Sequence, residues 1–197
     1  IQAALTGHLM LSTIHTNDAV GVIPRLIDMG VEPYLIPPVL IGSIAQRLVR
    51  TLCDAKGTEV PLSPSEHKDI EEQLSTLPEN YRFEVPKSVF QPVRTPTCPT
   101  GMRGRMAVFE VMEMSPSIEK VILESPVDSK IWAAARKEGM LTMREDAMLK
   151  AFRQQIPFSE VNALAGISSD DIEPAVLPLP EPQGATESDA PVASAQA

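Results

Sequence analysis

The sequence predicts an α/β fold in which a small sheet is followed by a set of short helices, and three observations carry that expectation. A compact apolar run, Leu9-Met10-Leu11, ends in β-branched Thr13 and Ile14 and passes at once into a helical pattern. Two later stretches, residues 43–51 and 104–114, alternate between two sets of side chains, which is the period of a strand. From Ser115 onward the chain is punctuated by helix starts and stops, so helices dominate its last ordered part.

The elements follow in order. A strand over residues 7–14 leads into a helix over 18–29, with Asn17 or Thr16 as N-cap and Gly30 just past its end. Val22, Leu26 and Met29 supply its buried stripe, and Pro24 should kink it or delay its start. Pro33 opens one more helical turn, which Pro37-Pro38 stops. In the strand over 43–51, Ile44, Gln46, Leu48 and Arg50 share one face, opposite Ala45, Arg47 and Val49. Residues 53–60 read as a turn-rich connection. Ser63-Pro64-Ser65-Glu66 has the hydroxyl, first-turn proline and third-position carboxylate of a capping box, launching a helix to about residue 74. Residues 81–99 are proline-rich and irregular. In the strand over 104–114, Met106, Val108, Glu110 and Met112 alternate with Ala107, Phe109 and Val111. Helices are then expected from Ser115-Pro116 to residue 123, over 128–137 with Gly139 as stop, over 143–154 from Thr142, and over 159–165.

Composition narrows the function classes. The formal charge of -9 is uneven: from Ser168 onward there is no Lys or Arg but six carboxylates, leaving 17 basic against 20 acidic residues before it. That last segment, rich in Pro, Ala and Ser, cannot bury enough apolar surface to offset its ordering entropy, so residues 168–197 are expected to be a disordered tail. No basic stripe survives the charge count, which argues against nucleic acid as a partner. No apolar run approaches the roughly 18–20 residues of a membrane span. Residues 1–5 carry no initiator Met, basic leader or cleavage site and resemble the second half of a cut helix, so the chain is expected to be a fragment. Cys53 and Cys98, far apart in sequence, do not make a disulfide framework, and a reduced cytoplasmic setting is expected.

Four motifs carry a resemblance. Thr6 to Asp18 reads TGHLMLSTIHTND, Ala45 to Cys53 reads AQRLVRTLC, Thr100 to Met112 reads TGMRGRMAVFEVM, and Gly139 to Asp146 reads GMLTMRED. In that order they resemble the histidine box, core-ending strand, GR strand and terminal helix of the secretion ATPases that drive type II secretion and type IV pilus assembly. The resemblance covers residues 1 to about 164. It implies that residues 1–53 are the C-terminal part of a RecA-like P-loop NTPase core, 54–99 an insertion, and 100–167 a small, mostly helical subdomain. It also implies a hexamer, ATP and Mg2+ in the complete protein, and an inner-membrane platform protein as partner. The chain would then lie in the cytoplasm, against the membrane only through partners. No GxxxxGK[ST] phosphate loop occurs in these residues, so the chain alone cannot be a complete ATP-hydrolysing unit. The rival reading is a non-catalytic docking module that binds a full-length ATPase or platform protein. A retraction motor of the same fold is a further alternative, against which the long insertion speaks.

The family usually has a tetracysteine zinc site around that insertion. Here only Cys53 and Cys98 remain, with His67 the other soft donor, and a structural zinc needs four ligands. Apolar packing of Leu74, Leu77, Tyr81, Phe83 and Phe90 is the expected substitute.

Phosphoryl transfer rests on positioning and electrostatic stabilisation, so donors near the γ-phosphate are the candidates. The resemblance makes His8, His15 and Thr13 catalytic, with one histidine sensing the γ-phosphate. Seven residues apart on a regular strand, the two rings would point to opposite faces. Gln46, Arg47, Arg50 and Arg105 are candidates for nucleotide or subunit contacts, since guanidinium binds oxyanions bidentately. Arg47 and Arg50 should face opposite sides, and Arg25 should pair with Asp28.

Overall fold

A computed structural model describes residues 1–53 and 57–165. A single helical turn, α1 (Gln2–Leu5), precedes the segment that was expected to be the first strand. That strand does not form among the described residues: residues 8–15 have no sheet partner there, and Leu9 and Leu11 are 78% and 90% exposed. The apolar run has no strand beside it among the described residues, and a strand exists only through its ladder.

Helix α2 spans Val22–Asp28, later than the pattern suggested. Proline lacks the N–H an interior helical position must donate, so Pro24 confines the start to the residues just before it. Neither Thr16 nor Asn17 caps the helix. Gly21 is its N-cap residue, and Asp18 Oδ1 accepts from the Gly21 amide at 2.7 Å. At the other end Gly30 (φ +88°) donates to Ile27 and Val31 to Leu26, a Schellman closure. Ile23 is the fully buried residue of the helix and Leu26 of the expected stripe packs against the same core, but Met29 is 64% exposed. A 3-10 turn, Pro33–Leu35, then leads to β1 (Gly42–Leu52).

Strand β1 pairs antiparallel with β4 (Met102–Glu113), from Gly42↔Glu113 to Leu52↔Met102. Between them the chain makes an excursion through β2 (Thr58–Pro61), α3 (Pro64–Ser75), a 3-10 turn (Glu79–Tyr81) and β3 (Ser88–Gln91). Strands β2 and β3 form their own antiparallel pair, inside stretches expected to be turn and irregular. The Ser63 capping box of α3 is present in full: Glu66 N–H donates to Ser63 Oγ, and Ser63 N–H to Glu66 Oε2 at 2.9 Å.

The end of β1 and the start of β4 are paired, so Cys53 and Cys98 are neighbours despite a separation of 45 residues. Their sulfurs are joined as a disulfide with Cα atoms 6.8 Å apart, which corrects the expectation drawn from their spacing. His67 lies on α3 with Nδ1 3.4 Å from Glu71. Leu74 and Leu77 are buried in the excursion as expected, with Phe83 packed beside them, but Tyr81 is 46% exposed. Helices α4 (Pro116–Glu124), α5 (Asp128–Lys137), α6 (Met143–Phe152) and α7 (Phe158–Ala165) complete the fold.

The inner face of β1–β4 is shared by two cores. Val49 and Val108 pack with Ile70, Leu74 and Val89 of the excursion and with Ala147, Met148 and Val161 of α6 and α7. Met112, at the other end, packs with Ile23, Ile36, Ile118, Ile122 and Ile131. The outer face is open and carries exposed apolar side chains, with Ile44 68%, Leu48 57%, Phe109 40% and Val111 44% exposed. The tail expected from residue 168 lies outside the described residues.

Candidate functional site

Among the described residues, the box segment is held at its two ends. At its start, Thr6 Oγ1 donates to the Ala3 carbonyl at 2.8 Å, and His8 Nδ1 lies 3.0 Å from Thr6 Oγ1 and 3.2 Å from the same carbonyl. A proton on Nδ1 directed at that carbonyl would leave Nε2 as the atom turned to a ligand. His8, Thr13 and His15 are all exposed. With no regular strand, the opposite-face argument for the two rings does not apply.

At its far end the segment is clasped. Ala19 donates its N–H to Glu110 Oε1 at 2.9 Å and accepts through its carbonyl from Ser43 Oγ at 2.7 Å. Both backbone polar groups of buried Ala19 are thereby satisfied by the sheet. Glu110 is only 5% exposed. Burial pushes its carboxyl above the usual range, opposed by the Ala19 amide and reinforced by the nearby charge of Asp18.

Below this clasp lies a cleft of about 720 Å³, lined by Thr16, Asn17 and Asp18 from the box, Arg25 and Asp28 from α2, Arg47 from β1 and Arg144 from α6. Arg47 is therefore on the inner face. Gln46 and Arg50 are exposed on the outer face, where Arg50 stands opposite Arg105 in register. The structure thus brings Arg47 to the box and keeps Gln46, Arg50 and Arg105 on another surface. Arg25 and Asp28 line the same cleft without forming an ion pair, contrary to expectation. Glu110 and Ser43 went unnoticed as site residues. The signal was available for Glu110, a carboxylate set among Met106, Val108 and Met112 on an otherwise apolar face.

A second polar cluster supports the cleft from behind. The Arg136 guanidinium, 3% exposed, donates to both oxygens of fully buried Glu145 at 2.6 and 2.7 Å, to the Met140 carbonyl at 2.6 Å and to Thr76 Oγ1 at 2.7 Å. Glu145 also accepts from the Thr142 amide at 2.9 Å, closing the capping box of α6. This cluster ties α5 and α6 to the end of α3.

Residues 1–163 match the family model described as "Type II/IV secretion system protein". The chain belongs to that family. Type II secretion system protein E of Xanthomonas campestris pv. campestris is 41% identical over 162 residues, covering 82% of this chain and 27% of that protein. The type IV pilus assembly ATPase PilB of Pseudomonas aeruginosa is 34% identical over 165 residues, with 82% and 27% covered. The type IV pilus assembly ATPase TfpB of Acinetobacter baylyi is 36% identical over 145 residues, 73% of this chain and 24% of that protein. The chain therefore spans about a quarter of the length of these family members. Among its described residues no helix is long and apolar enough to cross a membrane.

Proposed function

We propose that this chain is the C-terminal portion of a hexameric ATPase that powers type II protein secretion or type IV pilus assembly, and that it supplies the γ-phosphate-sensing side of the site. One observation carries the reading: the TGHLMLSTIHTND segment is exposed, carries His8, Thr13 and His15, and is fixed to the sheet at Ala19. The open outer face of β1–β4 supports it, because exposed Ile44, Leu48, Phe109 and Val111 leave a surface to be covered in the complete, assembled protein.

Bound ATP with Mg2+ would supply the phosphoryl chemistry. The donor set here suits only part of that ligand. Imidazole and hydroxyl groups can follow the γ-phosphate, but no phosphate loop is present to cradle the rest. His8 would face the γ-phosphate through Nε2, donating there with both ring nitrogens protonated, while its Nδ1 contacts with Thr6 and Ala3 hold the ring in orientation. Arg47 would neutralise charge from the cleft, while Gln46, Arg50 and Arg105 would meet a neighbouring subunit on the outer face. The working protein would lie in the cytoplasm against an inner-membrane platform protein, with no role for nucleic acid.

The test is His8→Ala in the complete protein, read as steady-state ATP turnover and, separately, nucleotide binding. Loss of one transition-state donor costs about 100-fold or more in kcat. Turnover falling on that scale with binding retained is the expected result. Unchanged turnover would remove His8 from the site, and a complete protein without a phosphate loop would favour the docking module instead.

A further inference from the structure

We propose that Cys53 and Cys98 form a reversible redox latch that controls how firmly the excursion between β1 and β4 is closed at its base. The two cysteines sit just past the end of β1 and just before the start of β4, so their bond closes the neck of the intervening 45-residue separation. Their backbones are brought together by other bonds as well. Cys53 N–H donates to the Gly101 carbonyl at 3.3 Å, and Thr95 and Cys98 exchange reciprocal N–H···O bonds of 3.0 Å. The pair is thus pre-aligned for closure.

Two further features suit an open form. Cys98 Sγ lies 3.6 Å from the Met102 carbonyl, so a thiol there has an acceptor in place. The excursion is also held independently of sulfur by Ile70, Leu74, Leu77 and Val89 in the core, so the chain stays folded when the bond is cleaved. Both cysteines are small-surface residues, 8% and 9% exposed, reachable by a low-molecular-weight disulfide through modest local opening.

The chemistry is thiol–disulfide exchange. One cysteine thiolate attacks the external disulfide RSSR, forming a mixed disulfide and releasing one thiol RSH. The second thiolate then attacks the protein sulfur of that mixed disulfide and releases the second RSH. The protein dithiol loses two electrons and two protons, which leave on the two released thiols, and excess RSH reverses both steps. On the cytoplasmic location proposed above, on which this inference rests, a bond of this kind is characteristic of a sensor rather than a permanent brace.

The chain is equilibrated in buffers spanning reduced to oxidised glutathione, and free thiols are counted by mass after alkylation. Backbone hydrogen exchange is then measured in each state. The expected result is a two-electron transition that is the same from either direction, with the Cys53, Thr95, Cys98 and Gly101 amides exchanging at least tenfold faster when reduced. Amides of α4 and α5 should be unchanged. The double variant Cys53→Ser/Cys98→Ser should exchange like the reduced chain in every buffer. Thiols that stay free in oxidised glutathione, a bond that resists reduction in the folded chain, or equal exchange in the two states would each overturn the proposal.

Discussion

Arg136 and Glu145 offer the sharpest test of how the fold is held. Replacing Glu145 with Ala removes the partner of a guanidinium that is 3% exposed and leaves it facing the Met140 carbonyl and Thr76 alone. Breaking a buried pair from one side typically costs about 3–5 kcal/mol, because the remaining charge is neither solvated nor matched. The same substitution deletes the acceptor for the Thr142 amide, a cap contribution of about 1 kcal/mol that overlaps with the first cost. Trp132, with its ring centroid 5.4 Å from the guanidinium, returns little of this. A loss of about 4 kcal/mol in urea-induced unfolding is therefore expected for Glu145→Ala. Arg136→Met/Glu145→Leu should recover more than half of it, since the desolvation penalty of both ions disappears together. A single variant within about 1 kcal/mol of the parent would refute the claim that this cluster is a desolvated, mutually dependent pair. So would a double variant that is additive, because contacting groups must couple.

Other outcomes follow from the same geometry. Thr142→Ala should cost about 1 kcal/mol by removing the side-chain acceptor of the Glu145 amide, measured by the same unfolding assay. Gly101→Ala should destabilise by more than about 1 kcal/mol, because a Cβ at φ +73° would meet the Val93 backbone at 2.8 Å; thermal unfolding reads it. Glu110 has a folded-state pKa above its ordinary 4.5, so the folded chain holds that proton more tightly than the unfolded chain. Its contribution is fully present below pH 4.5 and is lost as pH rises through the folded value. Glu110→Gln keeps an acceptor for Ala19 and should flatten stability across that window in urea unfolding from pH 4.5 to 7.5, whereas an unchanged slope would contradict a buried carboxylate.

What could be read from the sequence was what local chemistry decides. Ser63 with Glu66 and Thr142 with Glu145 close their boxes within a single turn, so α3 and α6 begin where those residues said they would. The alternation in β1 and β4 placed Arg47 and Arg50 on opposite faces, as found. Features set by distant partners escaped. Residues 8–15 have a strand's composition but no strand beside them, and the four-residue β2 and β3 are defined by each other rather than by an apolar pattern. Cys53 and Cys98 meet only because β1 and β4 are registered end to start. Arg47 in the cleft is legible in the sequence and Ser43 of the clasp is not, since a serine on a strand signals nothing until its hydroxyl finds the Ala19 carbonyl.

Ala19 acts as a pinned point on an otherwise loose strap. Sliding it would break two bonds at once, each worth about 1 kcal/mol and more where the freed group stays buried. Any swing of the two imidazoles toward or away from a ligand must therefore be taken up by the backbone between residues 8 and 18, while the sheet beyond stays still.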